Sequence, residues 1–445
     1  MSIDNPPTSP AACSVTRVVL ASFIGTTIEW YDFFLYGTAA ALLFNQLFFP
    51  ELDPMAGTMA SFGTYAVGFF ARPVGGIVFG HFGDRIGRKS MLVTTLMLMG
   101  MATFLMGVLP TYAQVGVAAP VLLVILRFIQ GFGVGGEWGG AVLMAVEHGH
   151  DGRRGLYASW VQAGVPVGLL LATAVFTLFS LLPNEAFLSW GWRVPFLLGI
   201  ALLGVGMFIR LQIFESPLFA KIRDEKQQSG VPFFEVLRRY PRNVLLAMGA
   251  RFAENSCFYV FTVFVLTYAT ERLRVERVSL LNAVLIASAV EFLTIPVFGI
   301  LSDRIGRRPV YLGGAAALAA FAFPFFWMVD TADTTVTCLA IVIGLIVHAA
   351  MYAPQAAFFS ELFGTEVRYT GASIGYQLAS PLAGGLAPLI SMALLQGSEG
   401  RPWAVAVYLI ILSLITLVSV WLAAETHRTK LGDEPTEGGR MTDEG

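Results

Sequence analysis

The chain has 445 residues, 56% of them hydrophobic and 13% charged, with a mean hydropathy of +0.69; a water-soluble globular protein usually carries about 25% charged residues, so the chain is too apolar for that class. A net charge of -2 and a pI near 6.2 leave no basic footprint for nucleic acid. Cys13, Cys257 and Cys338 are too few and too scattered for a disulfide framework.

A membrane-crossing helix takes roughly 20 mainly apolar residues. Runs of that kind fall near 18–45, 56–82, 90–110, 117–146, 155–182 and 191–213. After a polar stretch from Phe214 to Arg242, six more lie near 243–270, 279–302, 309–329, 335–361, 370–396 and 402–424. The expectation is an all-α membrane protein with twelve spans in two six-helix bundles, 18–213 and 243–424. A polar N-terminal tail (1–17), a basic linker (214–242) and a disordered tail (425–445) complete it. The run after Arg17 is longer than a signal-peptide core and carries Glu29 and Asp32, so it reads as an uncleaved first span.

In that span Glu29, Asp32 and Tyr36 lie within about 60° on a helix, with the carboxylates some 16 to 21 Å deep. An ionisable group at that depth points to function by default. In the second span Arg72 precedes Pro73, and packing, gating and ligand binding all remain open for it. The fourth span puts Arg127, Gln130 and Glu137 within about 80° of one another, beside a stripe of Gly131, Gly135 and Gly139 suited to close helix packing. Gly131, Gly133 and Gly136 also satisfy G-x-G-x-x-G, but no strand-turn-helix context surrounds them, so a dinucleotide site is rejected. Glu147, His148 and His150 lack the further ligands a metal site needs. In the seventh span Arg251, Glu254 and Asn255 either pair among themselves or meet a substrate. Glu291 and His348 are further buried candidates, and His348 reads better as a satisfied interior histidine than as a proton carrier.

Between the second and third spans stands Gly80-His81-Phe82-Gly83-Asp84-Arg85-Ile86-Gly87-Arg88-Lys89, rewritten 219 residues later from Gly299 to Arg308. Glu147 and Arg154 recur as Glu361 and Arg368. The chain is therefore an internal duplication, although no arginine equivalent to Arg127 stands near Ile341. Lys and Arg gather in the loops on the side of both termini, which predicts that both face the cytoplasm. The loop from Glu271 to Arg277 departs from this pattern. Asp84 and Asp303 either cap the helix that follows or form a gate. No Walker motif and no nucleophile-base pair appears, so neither nucleotide-driven transport nor an enzyme is expected, and no cofactor or metal is implied.

The twice-written G-x-x-x-D-R-x-G-R-[RK] resembles the signature loop of the major facilitator superfamily of secondary transporters. Glu29-Trp30-Tyr31-Asp32-Phe33, Ala71-Arg72-Pro73-Val74-Gly75-Gly76, Gly135-Gly136-Glu137-Trp138-Gly139-Gly140, Trp190-Gly191-Trp192-Arg193-Val194-Pro195-Phe196 and Arg251-Phe252-Ala253-Glu254-Asn255 look like its metabolite:proton symporter branch, whose members carry shikimate, α-ketoglutarate, citrate, or proline and betaine. The resemblance implies a monomer in the cell membrane that takes up a small organic metabolite, most readily an organic acid, together with a proton. Sugar or osmolyte symport and export are the alternatives. It also implies proton coupling through Asp32 and Arg127 with Glu29 and Glu137, and substrate contacts from Tyr36, Arg127, Gln130, Arg251, Glu254, Asn255 and Tyr259. Gating would fall to Asp84, Arg85, Arg88, Glu147, Arg154, Asp303, Arg304, Arg307, Glu361 and Arg368.

Overall fold

Where water is absent, a backbone must satisfy its own amides, and a long apolar run does so as a helix. The computed structural model describes residues 15–86, 88–148, 152–212, 232–363 and 368–428, and these are helical with short connections. The first six long helices are α1 (Val15–Leu42), α2 (Pro54–Ile86), α3 (Arg88–Val108), α4 (Ala118–Val134, turning at 135–137 and resuming as Trp138–His148), α5 (Arg154–Ser180) and α6 (Arg193–Gln212). The second six begin with α7, which is Pro241–Tyr259 prolonged through two π-helical stretches to Arg272, followed by α8 (Arg277–Ile305) and α9 (Arg307–Val329). Then come α10 (Thr334–Glu361), α11 (Arg368–Ser380, a π turn at Pro381–Gly385, and Ala387–Gly397) and α12 (Trp403–Leu422). By length and composition nine of the described helices can cross a membrane, or ten if the bent pair Asn184–Gly191 and Arg193–Phe208 is one span. Most of the 214–242 linker and the end of the tail lie outside the described residues, as do the side chains of Asp84, Arg85, Arg88 and Glu147.

The exterior departs from that of a soluble protein. Leu178, Leu245, Leu293, Trp327 and Trp421 are each more than 60% exposed, whereas Arg72, Arg127, Arg251 and Arg307 are among the largest fully buried side chains, set within a largely apolar core. Charged groups are almost never fully buried in a soluble core unless paired. An apolar exterior with ionisable groups turned to the bundle interior is the arrangement that lipid as solvent selects.

The two groups of six helices meet along α1 with α7, α2 with α11, and α5 with α8 and α10. Glycine sets the closest approach. A methyl at Gly155 on α5 would lie 2.7 Å from Gly299 O and Ser302 Oγ of α8, so the two groups touch backbone to backbone there. Within the first six helices, a methyl at Gly131 or Gly135 of α4 would overlap the carbonyl oxygens of Gly68 or Arg72 on α2. The small-residue stripe expected on the fourth span therefore brings two arginine-bearing helices together.

Candidate functional site

Arg127 on α4 and Arg72 on α2 project from that glycine-packed pair into a cluster of rings. The Arg127 guanidinium lies 4.1, 4.2 and 4.8 Å from the ring centres of Phe33, Tyr36 and Tyr65. That of Arg72 lies 4.2 and 4.5 Å from Phe33 and Phe69. Both arginines are fully buried, and neither has a carboxylate within 4.0 Å among the described residues. Nε and Nη2 of each lack a hydrogen-bond partner. Two desolvated cations without counterions are costly, and they hold fixed forks of donors that match a carboxylate.

Asp32 is buried as expected, but it does not pair with Arg127. Arg127 instead donates from Nη1 to Gln130 Oε1. Gln130 Nε2 donates to Thr103 Oγ1 at 2.8 Å and to the main-chain oxygen of Asp32 at 3.3 Å. The guanidinium lies against aromatic faces instead, and Gln130 ties it to Thr103 and to the backbone of Asp32 rather than to the carboxylate. Asp32 Oδ1 has no hydrogen-bond partner, and it faces the bare backbone of Gly199 on α6, where a methyl would lie 3.2 Å away. Tyr36 donates to Thr64 Oγ1 at 2.6 Å. Glu29 and Glu137 are buried in the same group of helices.

The second half closes this cluster from the other side. Tyr259 of α7 has its ring centre 5.2 Å from Phe69, 5.9 Å from Tyr65 and 6.5 Å from Phe33. Tyr376 of α11 stacks on Trp138 with ring centres 3.8 Å apart. Asn255, one turn before Tyr259, is buried with its Nδ2 unpartnered. Phe33, Tyr65, Phe69, Arg72, Arg127 and Tyr259 thus form one buried cluster at the seam between the halves.

Arg251 behaves unlike the other two arginines. It reaches Glu254 Oε2 at 3.2 Å and donates to Gln355 Oε1 at 2.9 Å and Ser380 Oγ at 3.3 Å. Its guanidinium lies 3.2 Å from the Tyr376 ring centre. Gln355 also donates to Glu254 Oε2 and to Tyr311 Oη, each at 2.8 Å. Of the two readings left open for Arg251, pairing with Glu254 is the one seen.

A separate ionic cluster stands where α5 begins. The amides of Gly155 and Leu156 donate to Asp303 Oδ1 and Oδ2 at 2.8 and 2.9 Å, a helix N-terminus holding a carboxylate from the other half. Arg307 reaches Asp303 at 2.7 Å and Glu361 at 3.2 Å, and Arg154 reaches Glu361 at 3.8 Å. Glu361 is therefore tied across the halves to Arg154, whereas Arg368 donates to Phe363 O. Arg304 is exposed and takes no part. Glu425 accepts from the amides of Arg307 and Arg308 at 2.9 and 3.0 Å, capping α9. Burial pushes its pKa up, but these amides and those of Thr426 and His427 outweigh that and hold it below the usual carboxylate range.

At the opposite face Thr58 donates to Glu271 Oε1 at 3.2 Å and Thr267 to Ala41 O at 2.9 Å, both across the halves. Among the described residues the halves thus make contact at both ends of the seam.

Sequence reading left Arg72 open between packing, gating and ligand binding, and missed Phe33, Tyr65, Phe69 and Tyr376 as parts of this site. The spacing of Tyr65, Phe69 and Arg72 on one helical face was a usable signal.

The family model described as Major Facilitator Superfamily matches residues 22–388 and 278–442. A shikimate transporter of Escherichia coli (strain K12) is 42% identical over 416 residues, covering 93% of this chain and 95% of its own length. The inner membrane metabolite transport protein YhjE of the same organism is 40% identical over 424 residues, covering 94% and 96%. Among solved structures, a D-xylose-proton symporter superposes with a TM-score of 0.73 at 18% identity, covering 94% of this chain and 100% of that one.

Proposed function

The chain belongs to the Major Facilitator Superfamily, a family of transporters rather than enzymes, and on that premise we propose that it imports a small organic acid together with a proton by alternating access. The observation that carries this reading is the pair of buried arginines, Arg72 and Arg127, with unsatisfied donors and no acidic partner among the described residues. A carboxylate entering this cluster would meet both forks, and the rings of Phe33, Tyr65, Phe69 and Tyr259 would cover the body of the molecule. A cyclic hydroxy acid of the shikimate kind fits this chemistry, and the 42% identical relative supports it. An uncharged sugar would leave both cations without a counterion.

Asp32 is the proposed proton carrier. Ionised, it adds an anion to the same half-bundle as Arg127. Protonated from the outside, it leaves the two guanidiniums to the substrate carboxylate, so the site loaded with both proton and anion carries the same net charge as the empty one. Alternating access would proceed by parting the Asp303, Arg307, Glu361 and Arg154 cluster on one side and the Thr58 to Glu271 contact on the other. The basic loops put both termini and that ionic cluster on the cytoplasmic side of the inner membrane.

Uptake into proteoliposomes of labelled organic acids, osmolytes and sugars, with and without an acid-outside gradient, tests the reading. Gradient-dependent accumulation of an organic acid is the expected result. Accumulation of only sugars or zwitterionic osmolytes would overturn the substrate class, and efflux stimulated by the same gradient would overturn the direction.

A further inference from the structure

The first half supplies one proton carrier, yet the second half buries a group of ionisable side chains that this scheme leaves unused. His348 on α10 lies between two carboxylates from two other helices. Its Nε2 is 3.1 Å from Glu254 Oε1 on α7, and its Nδ1 is hydrogen-bonded to Glu291 Oε1 on α8. All three are at most 2% exposed. Glu291 Oε2 has no partner. Among the described residues, the other titratable or charged groups facing this trio are Arg251, Cys257 and Tyr259 on α7, Tyr311 on α9, Tyr352 on α10 and Tyr376 on α11.

Counting protons decides what the trio must hold. Each of its two hydrogen bonds needs a proton between an imidazole nitrogen and a carboxylate oxygen, and a neutral imidazole carries only one. The bonding seen therefore contains one further proton, either on the ring as imidazolium or on one carboxylate. With it, Arg251, His348, Glu254 and Glu291 sum to zero. Without it, a net negative charge stays buried, and one of the two carboxylates faces an imidazole nitrogen that has nothing to donate.

We propose that the Glu254, His348 and Glu291 cluster is a second proton-carrying site, loaded and emptied once per cycle, so that each organic anion enters with two protons. The cluster adjoins the proposed substrate site. Glu254 is followed by Asn255 and, one turn on, by Tyr259. Through Glu254 it also holds Arg251, whose guanidinium lies over Tyr376, the ring stacked on Trp138 of the other half. Loss of the proton leaves one of the two carboxylates without a hydrogen bond to His348 and loosens α10 from α7 or α8, and those helices meet α1 and α5 across the seam. The charge balance follows: one proton with a monoanion moves no net charge, whereas two protons move one. Transport should then respond to voltage as well as to a pH gradient.

This inference rests on the acid-importer reading, so its test has an arm that needs no substrate. In the first arm, the full chain is labelled with 15N-histidine and the His348 signal is assigned by its loss in His348→Gln. The expected result is a ring protonated on both nitrogens, or on one with a protonated carboxyl band that Glu291→Gln removes, giving up one proton as pH is raised. A trio that keeps the same protonation across the whole folded range overturns the proposal.

In the second arm, labelled shikimate is supplied to proteoliposomes at equal pH under a valinomycin-set potassium potential, inside negative. At roughly 100 mV, one net charge, about 2.3 kcal/mol, gives about 50-fold accumulation. His348→Gln and Glu291→Gln should reduce this to about onefold while keeping exchange of shikimate at equal concentrations, which also shows that they fold. Voltage-driven accumulation that persists in both variants, or its absence from wild-type protein that transports shikimate, overturns the second proton. Titration of the trio without any shikimate transport would overturn the substrate reading and leave the proton site standing.

Discussion

Asp32 and Arg127 lie in one half-bundle without touching, and each has a separate test. Asp32→Asn removes the proton carrier while leaving the arginines in place. Uphill uptake driven by an acid-outside gradient should fall, and should vanish when Asp32→Asn is combined with His348→Gln, while counterflow exchange persists. Arg72→Lys and Arg127→Lys keep the charge but lose the planar fork and its fit to the rings. Each should raise the KM for an anionic substrate by about 10- to 100-fold, about 1.4 to 2.7 kcal/mol, with a smaller effect on exchange at saturation. An unchanged KM in both would remove the arginines from the site. Asp32 was legible in the sequence because a carboxylate deep in an apolar run needs a reason to be there. Arg72 was noticed but left open between packing, gating and ligand binding, since an arginine beside a proline and two glycines reads equally well as packing. Its lack of a partner is visible only once every neighbour is in position.

Helices carry the next level of the argument, because the distance between their backbones decides what their side chains can reach. Gly299 of α8 meets Ser159 and Gly155 of α5, where a methyl would stand 2.5 Å from Ser159 Oγ and 2.9 Å from Gly155 O. Gly299→Ala should overpack this contact by about 1 to 3 kcal/mol, and moving α5 away from α8 relieves it. In a cysteine-free background, a reporter cysteine at the buried Ala158 should then react faster with a maleimide added from the side of the ionic cluster. No change in labelling would mean that the glycine contact does not limit closure. The helix boundaries were largely readable from the apolar runs, with α1 set a few residues earlier than the run itself. The π-helical stretches at Val260–Phe264 and Pro381–Gly385 were not readable, because they follow from how α7 and α11 pack rather than from composition.

Across the whole molecule, the ionic cluster joins the halves through buried charges that are costly to leave unpaired. Asp303→Asn removes the anion held by the α5 amides and by Arg307. It should shift the protein toward opening at that end, seen as faster labelling of the same Ala158 reporter and slower concentrative uptake. Glu425 gives a pH dependence with a definite sign. Its folded pKa lies below the ordinary value, so its contribution is complete above about pH 4.3 and is lost as pH falls through the lower folded value. Thermal melts should show stability dropping on acidification through this range, and Glu425→Gln should remove that part of the drop. The sequence by itself determined the membrane class, the duplication and the depth of the charged groups, because hydropathy and repetition are properties of order along the chain. Only the tertiary structure decided which charges meet. It paired Glu361 with Arg154 and Arg307, left Arg72 and Arg127 without a carboxylate among the described residues, and set His348 between two glutamates, since partners supplied by different helices depend on backbone approach and on the rings that fill the space between them.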